Sequence, residues 1–108
     1  MRILITGGAG FVGTNLLSTL SNNSEYKLYS IDNYSTGLKS NQIEEVQYYD
    51  CDIRPFNTHN TKLLLNKIKP NVIFHLAAIA RIQPSFDDPV NYFNTNANGT
   101  LILADWCS

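Results

Sequence analysis

The chain has 108 residues, a formal net charge of −1 and 44% hydrophobic residues. That length holds one domain with a core of its own. The eight basic residues are scattered from Arg2 to Arg81, which excludes a basic track for nucleic acid or an anionic membrane, and no apolar run approaches membrane-spanning length or the pattern of a signal peptide.

The first element is an apolar run, residues 2–6, that reads as a strand covered on both faces. Directly behind it comes Thr6-Gly7-Gly8-Ala9-Gly10-Phe11-Val12-Gly13. The glycines at 7, 10 and 13 lie between that strand and a helix expected over residues 11–21. Val12, Leu16 and Leu20 repeat every four residues there, and Leu17 widens the stripe. A glycine-rich turn opening a helix makes a diphosphate seat. Backbone N–H groups point at the ligand, and the helix dipole favours negative charge. The three glycines serve a tight turn, close backbone approach to the pyrophosphate, and helix–strand packing.

A second strand is expected over residues 26–31 and ends at Asp32, 19 positions after Gly13. An acid about 20 residues beyond the glycines accepts hydrogen bonds from both hydroxyls of an adenosine ribose. It repels a 2′-phosphate, so NAD is expected over NADP. Residues 33–40 read as loop, rich in Ser, Thr, Gly and Asn. A third strand is expected over 45–50 and a helix over 59–69, with Leu64, Leu65 and Ile68 inward and Pro70 stopping it. The fourth strand covers 71–76. A third helix starts at Asp88-Pro89, with Phe93, Ala97 and Leu101 on its buried face.

Alternating strands and helices give an α/β doubly wound parallel sheet, and right-handed crossovers favour the strand order 3-2-1-4. Thr6, Asp32, Asp50 to Asp52, and His75 to Ala78 all fall at carboxyl ends of strands, where such sheets bind ligands. Cys51 and Cys107 fit neither a redox pair nor, with His59 and His75, a metal site. Reduced thiols in the cytoplasm are the simplest account. His75 is read as a satisfied group at a strand end, with no catalytic role.

Thr-Gly-x-x-Gly-x-x-Gly, the acid after strand 2, Asp52-Ile53 after strand 3, His75-Leu76-Ala77-Ala78 after strand 4 and Asn96-x-x-Gly-Thr occur in that order. This pattern resembles the extended short-chain dehydrogenase/reductases. Within them it resembles the nucleotide-sugar epimerases and dehydratases typified by UDP-glucose 4-epimerase. The resemblance spans all 108 residues and implies a Rossmann-type fold. It implies backbone N–H contacts from Phe11 and Val12 to the pyrophosphate. It implies that Asp32, Asn33, Ser35, Thr36 and Gly37 wrap the adenosine ribose. Asp52 would take the adenine amine, and Ile53 would cover the ring. Leu76, Ala77 and Ala78 would line the path beside the nicotinamide ribose, and Asn96 would help hold the cofactor.

The family's Tyr-x-x-x-Lys pair is missing: none of the six tyrosines has a lysine four residues later. The resemblance therefore implies that residues 1–108 are the NAD-binding N-terminal part of a longer enzyme. The catalytic segment and substrate domain would lie outside this sequence. The complete enzyme would act on a nucleotide sugar by transient hydride transfer, as a homodimer. Some family epimerases carry a lysine where Ala80 stands, followed here by Arg81, so the sequence does not choose between epimerisation and dehydration. A catalytically silent NAD(P) sensor on the same fold is the competing reading. A P-loop is excluded, because no Gly-Lys-Ser/Thr follows the glycines.

Overall fold

The computed structural model describes residues 1–33, 40, 42–54, 57–77 and 88–108, with backbone alone at 91, 92, 94 and 95. Ser35, Thr36, Gly37, Ala78, Ala80 and Arg81 lie outside the described residues.

Four parallel strands form one sheet: β1 (Arg2–Thr6), β2 (Lys27–Asp32), β3 (Val46–Asp50) and β4 (Val72–His75). Their order is β3-β2-β1-β4, as the crossover rule predicts. Helix α1 (Phe11–Leu20) connects β1 to β2, and α2 (Thr58–Ile68) connects β3 to β4. After β4 come α3 (Pro89–Phe93), a π-helical turn (Asn94–Asn98) and α4 (Gly99–Cys107).

The pleat sorts β1 between two cores. Ile3 and Ile5 pack with Leu17 of α1, Leu28 and Val46 on one face. Leu4 packs with Ile31, Ile53, Leu65, Ile68 and Leu103 on the other, beneath α2 and α4. Leu4, Ile5, Leu17, Ile31 and Leu65 are fully buried, and each such side chain contributes about 1.5–3 kcal/mol of hydrophobic transfer. Helices on both faces explain why β1 is almost continuously apolar.

Two expected helix faces are corrected. In α1 the buried positions are Gly13 and Leu17, flanked by Leu16 and Leu20, whereas Val12 is 61% exposed. Gly13 must enter the turn, and that rotates Val12 outward. In the last helical segment Phe93 and Leu101 are exposed, and Gly99 and Leu103 are buried. The π-turn between them inserts extra residues into the helical repeat. The 3.6-residue phase that joined Phe93, Ala97 and Leu101 is lost across it. What anchors α4 is Leu103 in the core, with Lys62 paired to Asp105 at 3.0 Å and the Trp106 indole donating to Asn66 Oδ1 at 2.8 Å.

Helix α2 buries Thr61, Leu65 and Ile68, with Leu64 packed alongside. It ends at Lys69, whose backbone is left-handed at φ 50°. The amino end of the sheet is stitched there. Arg2 Nε donates to Lys69 O at 2.7 Å, Arg2 N to Asn71 Oδ1 at 2.8 Å, and Asn71 N to Arg2 O at 2.8 Å.

Candidate dinucleotide site

The carboxyl ends of β1, β2 and β4 meet around the glycine turn. Parallel register sets Thr6 beside Ile31 on one side and His75 on the other. Gly7 N donates to Ile31 O at 2.7 Å, Gly10 N to Gly7 O at 3.1 Å, and Thr14 N to Gly10 O at 2.9 Å. Gly7 has φ +78°, and a Cβ there would lie 2.9 Å from Ala77 N. Glycine alone satisfies both demands. A Cβ on Gly13 would overlap Gly7 O and approach Gly8 Cα to 2.7 Å.

Gly10 differs from both. Its backbone is extended at φ −79°, and a Cβ would meet only Gly7 O at 3.4 Å. The protein's own packing does not require glycine at that position, and its absent side chain leaves the backbone open to close approach. Around it, α1 starts without a side-chain cap and without an acid in its first turn. Among the described residues, no acceptor meets the N–H groups of Phe11, Val12 or Gly13. Donors without an acceptor at a positive helix end suit an anion. Phe11 is 83% exposed, so neither it nor Val12 packs the helix, and what these two offer the seat is backbone.

Asp32 stands at the next strand end and is only 8% exposed. Its Oδ2 accepts from Ala9 N at 3.0 Å. The carboxylate therefore braces the glycine turn from beneath as well as standing where a ribose is expected. Asn33 reaches the Asp52 carboxylate, which joins the exits of β2 and β3. Asp52 is also gripped by Arg54, with Nε 2.9 Å from both oxygens and a further bond from Arg54 N at 3.0 Å. Burial opposes ionisation of Asp52, but the Arg54 hydrogen bonds and charge overcome it and hold the carboxyl below its usual range. Ile53 is 4% exposed and sits inside the core with Leu4 and Leu65, so its side chain is not an open surface for a ring.

On the other flank, Leu76 is partly exposed and Ala77 half-buried. Thr6 Oγ1 accepts from Leu76 N and Ala77 N, both at 3.1 Å, and lies 2.6 Å from His75 Nδ1. His75 Nε2 lies 2.8 Å from Thr100 Oγ1, which donates to Asn96 O at 2.8 Å. Both ring nitrogens are thus partnered, and burial lowers the imidazole pKa. The π-turn that carries Asn96 is thereby tied to the strand ends. The structure brings together the glycine turn, Asp32, Asn33, Asp52, Leu76 and Ala77. Asn96 joins them through its backbone carbonyl.

Sequence reasoning placed Thr6 at the ligand-binding strand ends and Thr100 in the Asn96-x-x-Gly-Thr motif without giving either a role, and it missed Arg54. Thr100 had a signal: it stands one helical turn after Asn96. A separate cavity of about 500 Å³ opens between the outer edge of β3 and α2. It shares Asp52 with the site, but its other walls include Tyr49, Cys51 and Lys67. Burial, helped by the charges of Asp50 and Asp52, raises the Cys51 thiol pKa against hydrogen bonds from Thr61 and Asn57, so this cysteine is held as the thiol. Among the described residues no cluster could hold a metal ion, and no helix is long and apolar enough to cross a membrane.

A profile of the NAD dependent epimerase/dehydratase family matches residues 3–108. The chain is 34% identical over 110 residues to UDP-glucose 4-epimerase of Mycolicibacterium smegmatis, covering 97% of this chain and 34% of that protein. It is 29% identical over 117 residues to dTDP-glucose 4,6-dehydratase of Escherichia coli, covering 97% and 30%. The crystal structure of Thermus thermophilus UDP-glucose 4-epimerase in complex with NAD superposes with a TM-score of 0.90 at 32% identity, covering 99% of this chain and 33% of that one. The chain therefore spans about a third of the length of the relatives it matches.

Proposed function

Because the chain belongs to the NAD-dependent epimerase/dehydratase family, we propose that residues 1–108 are the NAD-binding portion of a nucleotide-sugar epimerase or dehydratase. The observation that carries this is Gly10. It is a glycine that internal packing does not demand, beside three N–H groups without an acceptor among the described residues. The residues fit the cofactor. Phe11, Val12 and Gly13 would hold its diphosphate through backbone N–H groups. Asp32 with Asn33, and Ser35 to Gly37 that follow in sequence, would hold the adenosine ribose. Asp52 would meet the adenine amine with whatever accepting capacity Arg54 leaves it, and Ile53 would contribute through its backbone.

Leu76, Ala77, Ala78 and Asn96 would flank the nicotinamide half. Bound there, NAD supplies a reversible hydride acceptor for a sugar carbon. The chain's own task is to fix that acceptor and exclude water beneath it. We read the complete enzyme as a cytoplasmic homodimer with a nucleotide-sugar substrate, and the free thiols of Cys51 and Cys107 accord with a reducing compartment. The presence of both epimerases and a dehydratase among the relatives accords with either outcome at the sugar.

The test is calorimetric titration with NAD and with NADP. The expected result is NAD binding with NADP at least ten-fold weaker, because Asp32 repels a 2′-phosphate. Equal affinities would remove the ribose role of Asp32, and no binding of either would remove the cofactor site.

A further inference from the structure

The hydrogen bonds around His75 have a direction that follows from counting. A threonine hydroxyl has one proton and two lone pairs. Thr6 Oγ1 accepts from Ala77 N–H and shares the Leu76 N–H with the Thr6 carbonyl, which Leu76 N meets at 3.0 Å. The Thr6 proton is left for His75 Nδ1, 2.6 Å away. Nδ1 is therefore the acceptor, and the neutral ring carries its proton on Nε2. That proton goes to Thr100 Oγ1, and the Thr100 proton goes to Asn96 O. Reversing the ring would aim Nδ1–H at Thr6 Oγ1 and leave the proton of that fully buried hydroxyl without an acceptor.

The file runs from the backbone beyond β4, through β1, to the π-turn. We propose that His75, as the Nε2–H tautomer, is a positioning residue for the cofactor site: it locks the Leu76–Ala77 exit to the turn bearing Asn96. This rests on the NAD reading above. The π-turn strengthens the argument. The Thr100 hydroxyl donates to Asn96 O inside that turn, so the file ends on its backbone. Without the imidazole, that hydroxyl keeps Asn96 O as acceptor but loses the donor that ties it to β4. A non-polar side chain in place of His75 would leave the Thr6 proton without its acceptor.

Thr100 gives a mild perturbation, because it is exposed and valine has its shape. The experiment measures NAD affinity by calorimetry for Thr100→Val, Thr100→Ser and both changes in a His75→Gln background. It also records the ¹⁵N imidazole spectrum of the wild-type protein at neutral pH. Thr100→Val is expected to weaken NAD about five- to ten-fold, the loss of one oriented hydrogen bond. Thr100→Ser should stay within about two-fold. In the His75→Gln background, Thr100→Val should add nothing, because the file is already cut. The wild-type spectrum should show Nδ1 unprotonated and Nε2 protonated. Unchanged affinity in Thr100→Val, or a proton on Nδ1, overturns the inference while leaving the cofactor reading intact. Failure of the wild type to bind NAD overturns both.

Discussion

Replacing Gly13 with alanine drives a methyl group against Gly7 O and to 2.7 Å from Gly8 Cα. Both obstacles are backbone, so no rotamer change relieves them. Overpacking of this kind costs about 1–3 kcal/mol, and here the upper end applies because the turn itself must move. The same substitution at Gly10 meets only an ordinary contact at 3.4 Å, and its extended backbone suits any residue. Alanine is a poorer helix cap than glycine by about 0.5–1 kcal/mol. It also restricts the unfolded chain, which returns about 0.4–1 kcal/mol. The two nearly cancel, so Gly10→Ala should unfold in urea within about 0.5 kcal/mol of wild type, whereas Gly13→Ala should lose about 2 kcal/mol or more. NAD affinity should separate from stability. A methyl at Gly10 stands between the diphosphate and the N–H groups of the first helical turn. Losing one hydrogen bond to a charged group costs about 1.5–3 kcal/mol, a ten- to hundred-fold rise in Kd. Gly10→Ala binding NAD like wild type, or unfolding as easily as Gly13→Ala, would refute the division between packing glycine and ligand glycine.

Three further outcomes follow from local chemistry. Ser30 Oγ is buried beneath Gly8 with no hydrogen-bond partner among the described residues. Ser30→Ala should therefore stabilise the fold by about 1 kcal/mol and raise Tm by about 4 °C; an unchanged or lower melting point would show that the hydroxyl is satisfied. Burial depresses the His75 pKa below its ordinary 6.5, so the folded state binds fewer protons there than the unfolded chain. The resulting stability is present above pH 6.5 and lost as pH falls through the folded pKa. Urea midpoints for wild type should thus fall more steeply below pH 6.5 than those of His75→Gln, and parallel curves would contradict it. Lys69→Gly relieves a left-handed backbone at φ 50° and should stabilise by about 1 kcal/mol, read as a higher urea midpoint with unchanged NAD affinity.

Much of the fold was legible in residue pattern. Apolar runs marked all four strands, and the handedness of crossovers ordered them. Asp32 was legible because its distance from the glycines carries a geometric meaning. The inner faces of α1 and α4 were not, for different reasons. Hydrophobicity assigned Val12 to the core, but the close fit of Gly13 against the turn outranks a methyl stripe. A π-turn leaves no compositional mark, so the phase slip between Phe93 and Leu101 appears only in three dimensions. Ile53 reads as a ring-covering residue by its place after Asp52, yet that same place drops it into the core. The ion pair of Asp52 with Arg54, two positions apart, depends on how the chain bends after β3, which no periodicity encodes.

The stitching of Arg2 to Lys69 and Asn71 separates two kinds of change this domain can absorb. One main-chain bond, with two more that use the Arg2 guanidinium and the Asn71 side chain, closes the foot of the sheet across residues far apart in sequence, and these leave little there to vary without unfolding. The opposite rim hangs from the same strands but is finished by turns, a braced carboxylate and hydroxyl contacts. A lineage can rework the rim for a different cofactor half or sugar while the foot keeps the strands in register. Laboratory selection for new specificity should therefore collect its substitutions at one end of the sheet, and selection for heat resistance at the other.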